Sequence, residues 1–285
     1  MIQSMTGYGK TIVQLAQKKV TLEVKSLNSK NLDLNVRIPN SYREKELGIR
    51  KLLSKELVRG KIELSIYIEI TGEETTTSIN KEIVHHYIDQ LREIAEVSPE
   101  KTLEIAMRLP DALKTEREEL DEQEWLQIET GIKETLSKIV TYRSDEGKAL
   151  EADFQGRIKA IHTHLEHIEQ LDSERLAYVR ARLQKAIDEL KEDIDQNRFE
   201  QEIIYYQEKL DITEEKVRLK NHLDYFLDEL SGGISNGKKL AFISQEIGRE
   251  INTLGSKSNF APMQKLVVQM KDELEKIKEQ LLNVL

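Results

Sequence analysis

Apolar and polar side chains alternate along three stretches of the first 70 residues, and this period of two is typical of half-buried β-strands. The stretches cover residues 20–24, 32–38 and 62–70. Helical spacing between the last two stretches predicts a helix over about 43–59. Its predicted buried side chains and C-cap are Leu47, Leu53, Leu57 and Gly60. The N-terminal part of the chain is therefore predicted to form a mixed antiparallel sheet with helices.

Helical periodicity dominates after residue 80. Helices are predicted over 81–96, between Pro99 and Pro110, through Trp125 to Ile139, and over 198–230, 239–254 and 262–285. The first of these is predicted to bury Val84, Tyr87, Ile88, Leu91 and Ile94. The proline-free stretch from Ser144 to Leu190 predicts one or two long antiparallel helices. The predicted fold class is α+β, with an N-terminal domain over 1–143, a long helical arm over 144–200 and a C-terminal all-α domain over 201–285.

Composition excludes several classes of protein. The 285 residues include no cysteine, which excludes a disulfide framework, a thiolate zinc site and a cysteine nucleophile. No apolar run reaches 18 residues, and the first residues lack the apolar core of a signal peptide. These features predict a cytoplasmic protein that does not enter the membrane.

Charge is unevenly distributed along the chain. The formal net charge is −9, yet residues 25–61 contain ten Lys or Arg and only four Asp or Glu. A chain with such a split can bind a polyanion locally although its total charge is negative.

One predicted helix carries a stripe of possible metal ligands. Asp211, Glu215, Arg218 and His222 are spaced by four, three and four residues, which places them on one helical face. Carboxylate oxygen and imidazole nitrogen are suitable ligands for Mn²⁺, Mg²⁺ or Zn²⁺. The competing interpretation is a solvated face with ion pairs between successive turns, which on spacing alone is the more common case.

A second segment has complementary features. Glu246 and Glu250 lie one turn apart on a predicted helix, where like charges repel unless a cation lies between them. The polar residues 253–257 at the end of this helix could hold a phosphate through hydroxyls, amides and Lys257. If the two helices are adjacent, the two segments would line one cleft.

The remaining histidines and aromatic residues are weaker candidates. Of His162, His164 and His167, only the last two could share a helical face, so a metal site there is disfavoured. Trp125 and the Tyr205–Tyr206 pair are predicted to pack in a core or an interface rather than to stack on bases.

Motifs at both ends resemble the bacterial YicC/YloC family of endoribonucleases. The N-terminal matches are the Ser4–Gly9 sequence SMTGYG, the Glu23–Asn28 sequence EVKSLN, Asn31-Leu32-Asp33, Arg37-Ile38-Pro39 and Arg59-Gly60-Lys61. The C-terminal matches run from Asp211 through Glu214, Glu215 and Arg218 to His222, then Gly237–Leu240, and from Gln245 through Arg249 to Lys257. Because the motifs occur in order over both ends, the resemblance covers essentially the whole chain.

The resemblance implies a cytoplasmic endoribonuclease that uses a divalent metal, Mn²⁺ or Mg²⁺, and assembles as a homohexamer. It implies RNA as the substrate, a role in small-RNA or mRNA turnover, and other RNA-decay enzymes as partners. On this basis the predicted metal ligands are Asp211, Glu215, His222, Glu246 and Glu250, of which His222, Glu246 and Glu250 are also the predicted catalytic residues. The predicted RNA-binding residues are Arg218, Arg249, Asn252, Ser256 and Lys257, together with an N-terminal basic face of Lys30, Arg37, Arg43, Arg50 and Arg59.

The working hypothesis is metal-assisted hydrolysis of an RNA phosphodiester. One alternative is an oligomeric RNA-binding scaffold without chemistry, in which the acidic stripes would form salt bridges between subunits. A further alternative is metal-independent attack by the RNA 2′-hydroxyl, with His222 as the base.

Overall fold

The computed structural model describes residues 2–71, 77–96, 98–115, 121–190, 196–232 and 235–285. Its N-terminal sheet contains β1 (Gly7–Gln14), β2 (Lys18–Leu27), β3 (Leu32–Arg37) and β4 (Gly60–Ile70). The strand order is β1-β2-β4-β3. Only the β3–β4 pair is parallel, and the other two pairs are antiparallel. The mixed sheet followed by helices confirms the predicted α+β class.

Strand β1 was not predicted, because two glycines interrupt its alternating pattern. Both glycines are needed for close packing against a helix. A Cβ atom on Gly9 would lie 2.5 Å from the carbonyl oxygen of Thr135. A Cβ atom on Gly7 would lie 2.8 Å from the side chain of Ile139. The glycines of the SMTGYG motif therefore let the strand approach the helix backbone.

The connection from β3 to β4 differs in detail from the prediction. A 3-10 turn over Asn40–Lys45 precedes α1 (Glu46–Glu56). The helix buries Ile49 and Leu53 against the sheet, whereas Leu47 is 74% exposed because it lies on the opposite side of the helix from Ile49. The prediction for Leu47 was wrong. Gly60 also does not cap the helix but begins β4 with φ of 123°, a conformation that favours glycine.

A small unit with its own core is inserted before the longest helix. It contains β5 (Thr77–Ile79), α2 (Lys81–Ile94), α3 (Pro99–Ala106) and β6 (Leu113–Thr115). Val84, Ala106 and Ala112 form its buried centre. The predicted helices are confirmed, but Ile94 is 81% exposed because the eight residues of α3 cover only part of the 14-residue α2.

Helix α4 (Glu122–Leu190) extends for 69 residues, or about 100 Å at 1.5 Å per residue. It runs without interruption across the predicted domain boundary at 143/144, because no proline is present and both of its central glycines remain helical. Its first part packs on the sheet through Trp125, Ile128 and Ile132. Its middle part packs on the C-terminal helices through Phe154 and Ile161.

The C-terminal helices are α5 (Gln196–Lys209), α6 (Thr213–Ser231), α7 (Gly237–Lys257) and α8 (Ala261–Leu281). The helix predicted over 198–230 is therefore two helices. The break follows from Asp211, whose carboxylate accepts hydrogen bonds from the Thr213 amide at 3.1 Å and the Thr213 hydroxyl at 2.7 Å. Such side-chain bonds to the backbone compete with helix continuation. Among the described helices, none is long and apolar enough to cross a membrane.

The two ends of the chain meet beside α4. The Leu285 amide donates to the Gln3 carbonyl at 2.9 Å, and the Met5 amide donates to the Asn283 carbonyl at 2.7 Å. On the other side, the Ser4 amide donates to the Arg143 carbonyl at 3.0 Å. Ile2 is 1% exposed and belongs to the C-terminal core. This short segment therefore links the sheet to the C-terminal helices.

Two of the three glycines of α4, Gly147 and Gly156, give a matched test of this junction. A Cβ atom on Gly147 would lie 2.1 Å from the Ile2 carbonyl oxygen, whereas one on Gly156 would meet no atom within 4 Å. We expect Gly147→Ala to lower the free energy of unfolding by about 1–3 kcal/mol, because the N-terminal segment must move. Gly156→Ala is expected to raise it by about 0.5–1 kcal/mol through helix propensity.

Urea denaturation of the two variants and the wild type measures both changes. Equal effects of the two substitutions would contradict the close contact between α4 and the N-terminal segment.

Candidate functional site

Two ion pairs fix the packing of α6 against α7. Glu215, near the start of α6, accepts from Lys257 at the end of α7 at 2.8 Å. Glu229, near the end of α6, is bound by Lys239 at the start of α7 at 2.5 Å. Because the start of each helix contacts the end of the other, the two helices are antiparallel.

The same ion pairs determine which side chains face each other. On α6, His222 lies midway between Glu215 and Glu229, and residues seven apart share a helical face. On α7, Glu246 and Glu250 lie between the two lysines and on the lysine face. We call this set the α6–α7 stripe; its members are Glu215, His222 and Glu229 with Lys239, Glu246, Glu250 and Lys257.

His222 therefore lies level with the α7 segment between Glu246 and Glu250. It is half-buried, Glu246 is half-buried, and Glu250 is 5% exposed. No hydrogen bond of His222 or Glu250 to another described side chain is present. The arrangement places an imidazole and a carboxylate with free hydrogen-bonding capacity in a partly enclosed surface between two helices.

Glu215 is a buried carboxylate with one oxygen in use. Its Oε1 accepts from Lys257 Nζ, which also donates to the Asp211 carbonyl at 2.8 Å. Its Oε2 has no hydrogen-bond partner among the residues that the structure describes. A buried acceptor left without a partner is costly, so this oxygen is a site where a donor or cation would gain free energy.

The break between α5 and α6 is held by two cations. Arg175 on α4 is 1% exposed and donates to the Leu210 carbonyl at 3.0 Å, and Lys257 holds the next carbonyl. The Thr213 hydroxyl and amide lower the pKa of Asp211. A lowered pKa means that the ionised carboxylate stabilises the fold above the ordinary pKa of aspartate, about 3.9, and that this contribution is lost as pH falls through the lower folded value. Asp211 precedes α6 and binds its first residue, Thr213, so it is not a member of the helical face.

The five predicted metal ligands do not form one cluster within a single chain. In the described part of the molecule, no three His, Asp or Glu side chains are placed so that they could hold one ion. The donor chemistry of the stripe nevertheless suits a hard cation, and Mg²⁺ commonly uses one or two carboxylates with substrate phosphates and waters. The stripe could therefore hold a metal only together with ligands from RNA or solvent.

The predicted RNA-binding residues of α6 and α7 lie around the stripe. Arg218 pairs with Glu214, and its side chain is 56% exposed. Arg249 is 74% exposed and is 3.9 Å from Glu246. Asn252 and Ser256 are exposed at the end of α7, where the Ser256 hydroxyl donates to the Thr253 carbonyl at 2.9 Å. Arg218 and Arg249 thus border the stripe, whereas Asn252 and Ser256 lie on other faces of α7.

The five predicted basic residues of the N-terminal part do not act as one set. Lys30 and Arg43 are exposed. Arg37 pairs with Glu63 across the sheet at 3.2 Å. Arg50 donates to the Leu34 carbonyl at 2.9 Å and Arg59 to the Ser29 carbonyl at 3.0 Å. The last two arginines therefore hold the backbone of β3 and of the loop before it in place, whatever else they bind.

The clustered histidines of α4 form a separate, partly buried group. Burial is the main cause that lowers the pKa of His164, and the charge of the neighbouring His167 lowers it further. Its Nδ1 atom is buried without a partner among the described residues. His162 lies 3.3 Å from Glu166.

Arg143 is a buried arginine that holds three segments of the fold together, and the sequence analysis did not predict this role. It is 2% exposed and donates to the Met5 carbonyl at 3.2 Å, the Arg59 carbonyl at 3.3 Å and the Ser26 hydroxyl. Burial lowers the pKa of its guanidinium. The available signal was its position, because Arg143 continues the apolar stripe of Ile132, Leu136 and Ile139.

Comparison with known proteins agrees with the motifs. Residues 2–152 match the model described as endoribonuclease YicC-like, N-terminal region, and residues 168–285 match endoribonuclease YicC-like, C-terminal. The chain belongs to the YicC-like endoribonuclease family. This confirms the resemblance inferred from the sequence motifs.

Two relatives match over their full length. Each is named "Probable endoribonuclease YicC". The one from Clostridioides difficile (strain 630) is 34% identical over 292 residues, and the alignment covers 100% of both chains. The one from Haemophilus influenzae (strain ATCC 51907 / DSM 11121 / KW20 / Rd) is 30% identical over 289 residues, again with 100% of both chains covered.

The sequence motifs shared with the YicC-like family lie in two parts of the fold. The SMTGYG residues form the junction segment and the start of β1. Asn28, at the end of the second motif, donates from its side chain to the Leu282 carbonyl at 2.5 Å. Three of the N-terminal motifs, SMTGYG, EVKSLN and Arg59-Gly60-Lys61, therefore meet near Arg143 and the last residues, whereas the C-terminal motifs contribute most of the α6–α7 stripe.

The two lysines of the stripe allow a test of its packing. Lys257→Met leaves Glu215, whose side chain is only 9% exposed, without its cation. We expect a loss of about 1–3 kcal/mol in the free energy of unfolding, because a buried charge is then uncompensated. Lys239→Met is the matched control. Its own side chain is 41% exposed and that of Glu229 is 19% exposed, so the expected loss is below about 1 kcal/mol.

Urea denaturation of both variants and of Lys257→Met/Glu215→Gln measures the difference. The double variant should recover part of the loss. Equal losses for the two lysines would contradict the buried character of the Glu215–Lys257 pair.

Proposed function

We propose that this chain cleaves RNA internally and that the α6–α7 stripe is the reaction site. The observation that carries the proposal is the position of His222 level with Glu246 and Glu250, fixed by the two ion pairs of the stripe. An imidazole beside a carboxylate is a common acid–base pair in enzymes. The exposed arginines beside it supply the charge that binds phosphate.

Each group has a definite role in this proposal. His222 accepts the proton of the oxygen that attacks phosphorus, and a neighbouring carboxylate orients the imidazole. As the new bond to phosphorus forms, the ester bond to the departing ribose oxygen breaks, and that oxygen takes up a proton from water. Arg249 and Arg218 contact the phosphate oxygens, where negative charge accumulates in the transition state.

A divalent ion, Mn²⁺ or Mg²⁺, is part of the proposal. Such an ion, when bound, polarises the phosphoryl oxygen and lowers the pKa of a bound water. The free Oε2 of Glu215 and the carboxylates Glu246 and Glu250 are the oxygens of the stripe that could contribute to holding it. RNA phosphate and water would complete its ligands.

The 2′-hydroxyl mechanism uses the same stripe. The ribose 2′-oxygen would attack the adjacent phosphorus, its proton would pass to His222, and the bond to the 5′-oxygen would break. The products are then a 2′,3′-cyclic phosphate and a 5′-hydroxyl. This product differs from that of hydrolysis, so the two routes are separable by end-group analysis.

The scaffold alternative loses part of its support. It requires the acidic residues of the stripe to bridge subunits, yet Glu215 and Glu229 are paired with lysines of the same chain. Assembly as a homohexamer, cytoplasmic action in small-RNA or mRNA turnover, and association with other RNA-decay enzymes are retained as proposals. Light scattering of the purified protein tests the hexamer directly.

Substitution of the stripe tests the nuclease proposal. We expect His222→Ala and the double variant Glu246→Gln/Glu250→Gln each to slow cleavage of a labelled structured RNA by about 10²–10⁴-fold, the range for loss of acid–base catalysis. His85→Ala, an exposed histidine of α2, should cleave at the wild-type rate. The rates are measured with Mn²⁺, with Mg²⁺ and with EDTA.

The outcomes separate the alternatives. Cleavage that stops in EDTA and returns with metal supports the metal-dependent reaction, and cleavage in EDTA with cyclic-phosphate ends supports attack by the 2′-hydroxyl. RNA that is bound but remains intact under every condition would overturn the nuclease proposal in favour of the scaffold.

A further inference from the structure

A cleft of about 350 Å³ lies where α4, the end of α5 and the turn between α7 and α8 meet. This volume is within the range of small-ligand sites. None of the ten described residues that line it is acidic, although the chain as a whole has a net charge of −9. The lining includes the cations Arg182 and Lys209 and the polar side chains of Ser256 and Asn259. Its charge is complementary to that of an anion.

Part of the cleft wall is held by internal hydrogen bonds, and another part carries side chains that are available to a ligand. Gln264 donates from its side-chain amide to the Gly255 and Ser258 carbonyls at 2.6 Å each, which holds the turn between α7 and α8. The side chains of Arg182 and Asn259, by contrast, are exposed and form no hydrogen bond or ion pair with another described residue. The cleft therefore combines a rigid turn with a guanidinium and an amide that can bind a ligand.

Tyr206 adds a ring to the lining. It is 39% exposed, and Tyr205 beside it is 56% exposed, so neither packs in a core of this chain, and the expected alternative of an interface stays a prediction. The two rings pack edge to face with centroids 5.9 Å apart, and Lys209 Nζ lies 5.9 Å from the centre of the Tyr205 ring. Exposed tyrosine rings next to cations are a typical platform for stacked bases of single-stranded RNA.

The cleft lies next to the α6–α7 stripe along the chain. Ser256 lines the cleft, and the next residue, Lys257, binds Glu215 of the stripe. Leu210, on the opposite side of the cleft, directly precedes Asp211, whose carbonyl accepts from Lys257. An RNA strand that crosses the stripe near the end of α7 would therefore reach the cleft within a short distance.

We infer that this cleft binds one nucleotide unit of a single-stranded segment of the RNA, with a phosphate on Arg182 and Lys209 and a base on Tyr206. The choice of ligand rests on the proposed function. The site would hold the strand beside the reaction site without taking part in the chemistry. Its contribution is therefore expected in binding affinity rather than in the rate of the chemical step.

The test compares two double charge reversals that change the net charge equally. Arg182→Glu/Lys209→Glu alters the cleft, and Lys133→Glu/Lys271→Glu alters exposed lysines elsewhere on α4 and α8. The dissociation constant of a fluorescent, unstructured RNA oligonucleotide is measured by anisotropy over a range of salt concentrations. Circular dichroism and size-exclusion chromatography confirm that each variant is folded.

We expect the cleft reversal to weaken RNA binding at least about tenfold more than the control reversal. Loss of two phosphate contacts should also reduce the slope of log affinity against log salt by about 1.4, the value for two contacts to a single strand. Tyr206→Ala should weaken binding at least about fivefold without changing this slope, because stacking does not release counterions. Tyr206→Phe should bind like the wild type.

Equal affinities of the two double reversals would overturn the inference. A second result would also overturn it: uridine monophosphate binding that the cleft reversal weakens, together with oligonucleotide binding that the cleft reversal leaves unchanged. The site would then bind a free nucleotide. Cleavage is measured in parallel. Unchanged cleavage and binding by the cleft variants would leave the nuclease proposal intact, whereas cleft-dependent binding without any cleavage would refute the nuclease and support the cleft.

Discussion

The pairing of the two chain ends beside α4 is the constraint on which the rest of the structure depends. Residues 2–6 are bound on one side to the last residues of the chain and on the other to α4. Ile2 lies in the C-terminal core, and β1 begins at Gly7 in the sheet. Arg143 completes the junction by binding the Met5 carbonyl, the Ser26 hydroxyl and the Arg59 carbonyl. Because these acceptors belong to three separate segments, their relative positions depend on one buried guanidinium.

The same junction supports the candidate reaction site. The Gly237 amide, at the start of α7, donates to the Leu285 carbonyl at 2.8 Å, and a Cβ atom on Gly237 would lie 2.5 Å from the Val284 carbonyl oxygen. The first turn of α7 is thus held against the end of the chain. Lys239, in that turn, forms one of the two ion pairs that align α6 with α7. The placement of His222 therefore depends partly on contacts made far from it in sequence.

Much of the fold could be predicted from periodicity, and the errors have identifiable causes. The alternating strands β2, β3 and β4 were predicted because one face of each is apolar. Strand β1 was missed because Gly7 and Gly9 interrupt its apolar pattern. Glycine is needed at these positions because the strand packs closely against α4, which the strand's own sequence does not show. The break at Asp211 was missed because its carboxylate binds Thr213, the first residue of the next helix, and nothing in the apolar pattern indicates such a bond.

The candidate site shows the same division. Motif resemblance selected His222, Glu246, Glu250 and Lys257, and helical spacing placed Glu246 and Glu250 on one face of their helix. That these residues face His222 was decided by the ion pairs of Glu215 and Glu229, which join positions remote in sequence. The sequence by itself thus determined the element types, the acidic and basic faces and the family. Only the tertiary structure decided which faces meet, because register between helices is set by contacts that local periodicity does not encode.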